Sequence, residues 1–304
     1  FNHEGFAWLA GLIRRRHARP ATMHLRTNTA DTPVTRWQAR VISAAVDAVV
    51  CITANEETTF RAHGGTAPAQ VIFNIAEPPM EPTPIDALAG EARFVVSMLA
   101  NAAVVRGTDR VIELARVLRA RGRRDILFAI AGDTRLAGAW PEPLGQQARE
   151  GRDLAAAVRA LGFDDVVRVL GHQSRPGRVL AASDLLLKPS REANPWGRDI
   201  IEAMAAGVAV ASIGTDATFV EDGVTGILHP SWSAEAMADA IAALADHRST
   251  AKQLGAAARE RALGLCDGQA RAGDLAAFWE TTVGRSRVGN ASGNDLRWLA
   301  TTRR

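Results

Sequence analysis

Lysine is nearly missing from this chain. Of its 36 basic residues all but Lys188 and Lys252 are arginine. The net charge is only +3 over 304 residues, too mild for a dedicated nucleic-acid binder, which would concentrate basic charge on one face, so nucleic acid is not an expected partner. Cysteine is as scarce. Cys51 and Cys266 stand far apart at no metal-ligand spacing, which fits a reduced, cytoplasmic setting. No apolar run nears the roughly 18 residues of a membrane span. The chain opens at Phe1 without a Met or a signal-peptide pattern, and sequence before it is expected. Histidine, cysteine and acidic residues do not cluster at metal-binding spacing, so the expected chemistry needs no metal and no cofactor. No Gly-x-Gly-x-x-Gly follows a strand, and neither the P-loop pattern nor a Gly-x-Ser-x-Gly elbow occurs, which argues against nicotinamide dehydrogenases, P-loop enzymes and serine hydrolases.

What is present is a long alternation of strand and helix signals. The length suggests about two domains, and 47% hydrophobic residues supply their cores. Phe6–Ile13 is apolar and runs into Arg14, Arg15, Arg16, His17 and Arg19. This reads either as an amphipathic helix touching an anionic membrane at its inner face or as an ordinary domain helix with a basic end. Strands are expected at 21–25, 48–53 and 70–74, with helices over 35–46 and from Asn55, which would cap its helix. That order is the last part of a doubly wound domain, too short for a whole one. Glu77–Pro84 reads as a proline-stiffened linker. The predicted organisation is an incomplete first domain over 1–76, a linker over 77–92, a second doubly wound domain over 93–283 and a disordered tail over 284–304. In the second domain strands are expected at 94–99, 126–131, 166–170, 185–187 and from 208. Helices are expected over 109–120, 147–161, 178–182, 233–245 and 250–265.

The strands of this second domain end in small or polar residues, and open parallel sheets bind ligands at those ends. Asn101, Gly132, Gly171, Ser190 and Gly214 are therefore expected around one crevice. The most informative stretch is Pro-Ser-Arg-Glu-Ala-Asn-Pro-Trp-Gly-Arg-Asp-Ile-Ile-Glu-Ala-Met-Ala-Ala-Gly, from Pro189 to Gly207. Apolar runs flank it, Pro195 precedes a helix start and Gly207 follows its end. Ile200, Ile201, Met204 and Ala205 form its sheet-facing stripe. Trp196, Gly197, Arg198 and Asp199 then offer backbone amides at the first turn, an environment that favours phosphate. The plain alternative is an ordinary capped helix of an α/β unit.

This stretch resembles the donor-site signature of retaining glycosyltransferases of family 4. Further blocks match at Ala131–Asp133, Leu170–Gly171, Ser183–Asp184 and Glu221–Gly226, most densely between 166 and 230. The resemblance implies the GT-B fold, two Rossmann-like domains facing a cleft. It implies that the amides at 196–198 hold the donor diphosphate and that Glu202 binds the nucleoside ribose. At the position eight before Glu202, where the family carries another Glu, this chain has Asn194; Asn194 and the nearby Glu192 are the expected contacts to the donor sugar. Arg106-Gly107 stands where the family has Lys-Gly, so Arg106 is expected on the diphosphate; the alternative is a solvated loop cation. Asn101 replaces a second basic residue of the family. Arg198 is either a donor contact or half of a surface ion pair. His24 matches a strand-end histidine near the reacting sugar, or is structural. His3 is a further polar candidate whose alternative is a structural role, and His172 also follows a strand end, with a polar surface role as its alternative.

The implied activity is transfer of a sugar from a nucleotide-diphosphate donor to a hydroxyl acceptor, on a sugar, a lipid-linked sugar or another molecule, with retention at the anomeric carbon. A nucleotide-sugar epimerase of the same fold and a non-catalytic nucleotide-binding scaffold are the competing readings. Nucleobase, sugar and oligomeric state are not legible.

Overall fold

The computed structural model describes residues 1–17, 19–26, 32–78 and 83–289, with side chains to 284. The described chain forms two compact units. One joins 1–75 to the C-terminal segment from Gly268, and the other runs from Ala76 to Asp267.

The first unit carries α1 (Ala7–His17), β1 (Thr22–Leu25), α2 (Pro33–Ala45), β2 (Ala48–Cys51), α3 (Ala54–Ala62) and β3 (Ala69–Val71). Its three strands are parallel in the order β1-β2-β3. Side chains alternate across a strand, and β2 shows the consequence. Val49 and Cys51 enter a core with Ala10, Met23, Ile42 and Phe60, while Ala48 and Val50 face the opposite way onto Ile72 and Phe278. Phe278 lies on the helix Gly268–Gly289. This corrects the domain boundary expected at 283: the last described helix covers the second face of the first sheet, which would otherwise be open to water. Residues 284–289 continue that helix, and the rest of the expected tail lies outside the described residues, as do 79–82 of the expected linker. The linker residues that follow are packed, with Leu88 buried against Val95, Leu127 and Val179. Two local expectations also change. Thr53, not Asn55, caps α3, its Oγ1 accepting from the Asn55 amide at 3.2 Å, and the third strand is confined to Ala69–Val71.

The second unit contains β4 (Phe94–Leu99), α4 (Thr108–Ala120), β5 (Ile126–Ala131), α5 (Leu144–Arg149), α6 (Leu154–Ala160), β6 (Val167–Gly171), α7 (Gly177–Leu180), β7 (Leu185–Lys188), α8 (Arg198–Ala205), β8 (Ala209–Ile213), β9 (Gly226–His229), α9 (Ala234–Asp246) and α10 (Arg248–Leu265). Six parallel strands run in the order β6-β5-β4-β7-β8-β9. Counted within the unit this is 3-2-1-4-5-6, the doubly wound order. It places the switch in winding direction between β4 and β7. The strands are mainly apolar because helices cover both faces, with Arg168, Lys188 and His229 the charged or ionisable exceptions; every residue of β5, β7 and β8 is buried. The single helix expected over 147–161 is two helices. Gly151 takes a positive φ of 74°, and Asp153 starts α6 afresh by accepting from the Ala156 amide at 2.8 Å.

Candidate donor-binding site

The site grows from α8. Ile200, Ile201, Ala203, Met204 and Ala205 are buried, so the predicted stripe faces the sheet. Gly197 precedes the first turn with φ 131°, a conformation L side chains rarely adopt. A Cβ there would also sit 2.8 Å from both Lys188 Nζ and Asp199 Oδ1. With glycine as the cap and no side chain capping the helix, the first-turn amides have no intrahelical partner and carry the positive end of the dipole.

That helix start opens on a cavity of about 310 Å³ lined by Leu99, Asn101, Gly132, His172, Arg198 and Glu202, among others. A second cavity of about 420 Å³ shares Asn101, Gly132 and His172 and adds Gly171. Both lie at the carboxyl ends of β4, β5 and β6, beside the switch point. Asn101 fixes this rim: its Oδ1 accepts from the Asp133 amide at 2.8 Å, tying the loop after β4 to the loop after β5. Gly132 is required by closeness, since a Cβ there would meet the Ala100 carbonyl oxygen at 2.1 Å.

Glu202 lines the first cavity from inside α8. Arg198, one turn earlier, donates to its Oε1 from Nη2 at 2.7 Å and from Nε at 3.1 Å. Of the two alternatives expected for Arg198, the structure shows the ion pair. A second cluster lies on the loop before α8. Arg106 Nη1 stands 3.6 Å from Glu192 Oε2, to which Asn194 Nδ2 donates at 3.3 Å. Asn194 Oδ1 is buried and has no hydrogen-bond partner. Beside it Ala193 holds a left-handed φ of 48°, and strain of this kind collects at functional loops.

Not every expected residue faces the cavities. Ser190 is buried; its hydroxyl donates to the Val105 carbonyl at 3.3 Å and accepts from the Glu192 amide at 3.2 Å. Its role is to hold the loop, together with Gly107, where a Cβ would meet the Pro189 oxygen at 2.0 Å. The Trp196 side chain is buried. Gly214 does not line the crevice; it packs under the Ala193 carbonyl. The block at Glu221–Gly226 is a turn closed by Thr225, whose hydroxyl accepts from the Glu221 amide and donates to the Phe219 carbonyl. His24 lies one residue before the end of β1 in the other unit, half-buried; burial first, then the positive charges of the amino terminus and Arg26, lowers its pKa. His3 caps the first turn, its Nδ1 accepting from the Gly5 amide at 2.9 Å. Burial pushes the Cys51 thiol up to about 12, so it stays protonated and inert.

Two side chains escaped the sequence reading, which placed only the backbone amide of Asp199 at the helix start. Lys188 and Asp199 sit behind the helix start, Nζ to Oδ1 at 3.0 Å. The available signal was a charged residue at the end of the apolar run Leu185–Leu187, just before Pro189-Ser190. Among the described residues no helix is long and apolar enough to cross a membrane, and no group of His, Cys, Asp and Glu is arranged to hold a metal ion.

A profile of the family described as Glycosyl transferases group 1 matches residues 85–261. D-inositol 3-phosphate glycosyltransferase of Kribbella flavida is 32% identical over 166 residues, 53% of this chain and 36% of that protein. Alpha-D-kanosaminyltransferase of Streptomyces kanamyceticus is 31% identical over 159 residues, 51% of this chain and 37% of that protein. The chain thus spans little more than a third of the length of the curated relatives it matches. Among solved structures, Anabaena HepE in complex with UDP-glucose superposes with a TM-score of 0.76 at 20% identity, covering 91% of this chain and 77% of that one. The sucrose-phosphate synthase of Thermosynechococcus elongatus superposes with a TM-score of 0.69 at 18% identity, covering 92% and 72%. These likenesses identify the fold as GT-B.

Proposed function

The chain belongs to the glycosyl transferases group 1 family, and from that premise we propose that its second unit binds a nucleotide-diphosphate sugar whose sugar is transferred to a hydroxyl acceptor. The observation that carries the reading is a glycine-started helix opening on a cavity beside the β4/β7 switch point, with a carboxylate one turn inside it. The diphosphate docks at the free amides of the first turn of α8. Glu202 accepts hydrogen bonds from the ribose diol, and Arg198 turns from Glu202 toward the phosphates. Arg106, only half-exposed and held beside Glu192, adds positive charge. Asn194, with its unpartnered Oδ1, and Glu192 face the sugar.

The reaction breaks the bond from the anomeric carbon to the diphosphate oxygen and forms a bond from that carbon to the acceptor oxygen, whose proton passes to the departing diphosphate. Negative charge grows on the departing diphosphate, where preset amides and arginine stabilise it. Retention of configuration, membership of retaining family 4 and independence from metal ions belong to this proposal. No group is assigned as a covalent nucleophile. His24 is the first unit's candidate for assisting the acceptor: His24→Ala should lower turnover and leave donor affinity unchanged. The transferase reading is preferred to epimerase or scaffold because two curated relatives bear the names of sugar-transferring enzymes. A peripheral contact with anionic lipid is also proposed for α1, which exposes Trp8 and Leu12 and ends in Arg14, Arg15 and Arg16; flotation with anionic against neutral vesicles tests it.

A thermal-shift screen with UDP, GDP and ADP sugars tests the donor site, since a ligand that binds only the folded state raises the melting point. A shift with one nucleobase class names the donor. Release of free nucleoside diphosphate only when an acceptor is added establishes transfer, whereas epimerised donor without acceptor overturns it.

A further inference from the structure

Lys188 closes β7 with a side chain only 7% exposed. Its Nζ donates to the Trp196 carbonyl at 2.5 Å and to Asp199 Oδ1 at 3.0 Å. Asp199 stands in the first turn of α8 and lines the same cavity as Arg198 and Glu202. This placement is paradoxical for a phosphate site. A carboxylate in a first turn is attracted by the potential that would hold a phosphate, so Asp199 is an anion built into an anion site.

We propose that Lys188 is a positioning residue that removes this competition. Its ammonium neutralises Asp199 and draws the carboxylate back toward the end of the strand. The proposal rests on the donor-site reading above. Three features of the molecule support it. The pair is largely buried, where attraction between opposite charges is strong and an unpartnered charge is costly. The space is tight: a Cβ on Gly197 would touch both Nζ and Oδ1 at 2.8 Å, so a compact ammonium fits where a planar guanidinium does not. Arginine supplies every other cation of the chain except Lys252, which is exposed. A lone buried lysine in such a composition marks a position where arginine's shape does not serve.

The experiment compares the full chain with Lys188→Met, Asp199→Asn and the double variant K188M/D199N. Affinities are measured for UDP, GDP and ADP and for uridine, guanosine and adenosine, with thermal melting of each variant. In K188M the released carboxylate opposes the diphosphate, so diphosphate affinity should fall roughly tenfold or more while nucleoside affinity holds. In the double variant the carboxylate is gone as well, and diphosphate affinity should return to within about threefold of the parent. D199N alone should raise the preference for diphosphate over nucleoside; should K188M fail to fold, this variant carries the test, and a lowered preference overturns the proposal. A double variant that binds no better than K188M, or a K188M that binds like the parent, also overturns it and leaves the donor site standing. If the parent binds none of the three diphosphates, the reading of the site falls and this inference with it.

Discussion

Replacing Glu202 by alanine is the most direct perturbation of the donor site. In the free protein both Arg198 bonds land on Oε1, which leaves Oε2 for a ligand. A hydrogen bond to a charged acceptor contributes about 1.5–3 kcal/mol net. Losing one such bond from a ribose diol to this carboxylate would therefore cost about 1.5–3 kcal/mol, or ~10- to 150-fold in Kd, and losing both would cost more. Stability should change far less. Arg198 is 75% exposed, and an exposed pair one turn apart contributes only about 0.3–0.5 kcal/mol, ~1–2 °C in melting temperature for a unit of this size. Isothermal titration with the nucleoside diphosphate that stabilises the parent most, alongside a thermal melt, separates the two effects. Glu202→Gln keeps the shape without the charge and should bind between parent and alanine variant. Affinity of the alanine variant within threefold of the parent, with the melt unchanged, would refute the assignment of Glu202 and with it the docking of the nucleoside along α8.

Gly197→Ala combines a forbidden φ with a 2.8 Å approach to Lys188 and Asp199; a cost of about 1–3 kcal/mol should appear in urea unfolding, together with weakened diphosphate binding. Phe278→Ala removes the ring that covers Ala48, Val50 and Ile72; the loss should be about 3–5 kcal/mol, read as a lower denaturant midpoint of the first unit, and an unchanged midpoint would return the C-terminal helix to the second domain. Hydrogen bonds from Arg93, against the opposing effect of burial, hold the Glu91 carboxyl down at about 2. Its contribution is therefore complete above its ordinary value near 4.5 and is lost as the pH falls toward 2. Glu91→Gln should be less stable than the parent at pH 7, and the gap in denaturant midpoint should close between pH 5 and pH 2.

Much of the second unit was legible because its elements are locally encoded. The runs at Phe94–Leu99 and Ile126–Ala131 are strands to the residue, since a strand buried on both faces leaves an uninterrupted apolar signature. The start of α8 was legible for a similar reason: Pro195 has few backbone options, Gly197 can take backbone shapes closed to other residues, and the apolar stripe that follows has helical spacing. The helix over 147–161 was misread because Gly151 and Asp153 sit within an otherwise helical composition. The role of Ser190 was misread because a strand-end position does not tell which way a hydroxyl turns; contact with Val105 decides that.

Element type, parallel pairing and the phosphate-favouring helix start follow from periodicity, from proline's fixed backbone and from glycine's freedom, which act over a few residues and so can be read along the chain. Three features required the folded molecule: the docking of Gly268–Gly289 on the first sheet, the sharing of Oε1 of Glu202 with Arg198, and the burial of Lys188 against Asp199. Each depends on how far apart and how dry two groups are once the chain has closed on itself. Burial sets the strength of charge and apolar contact alike, and burial is a property of tertiary packing.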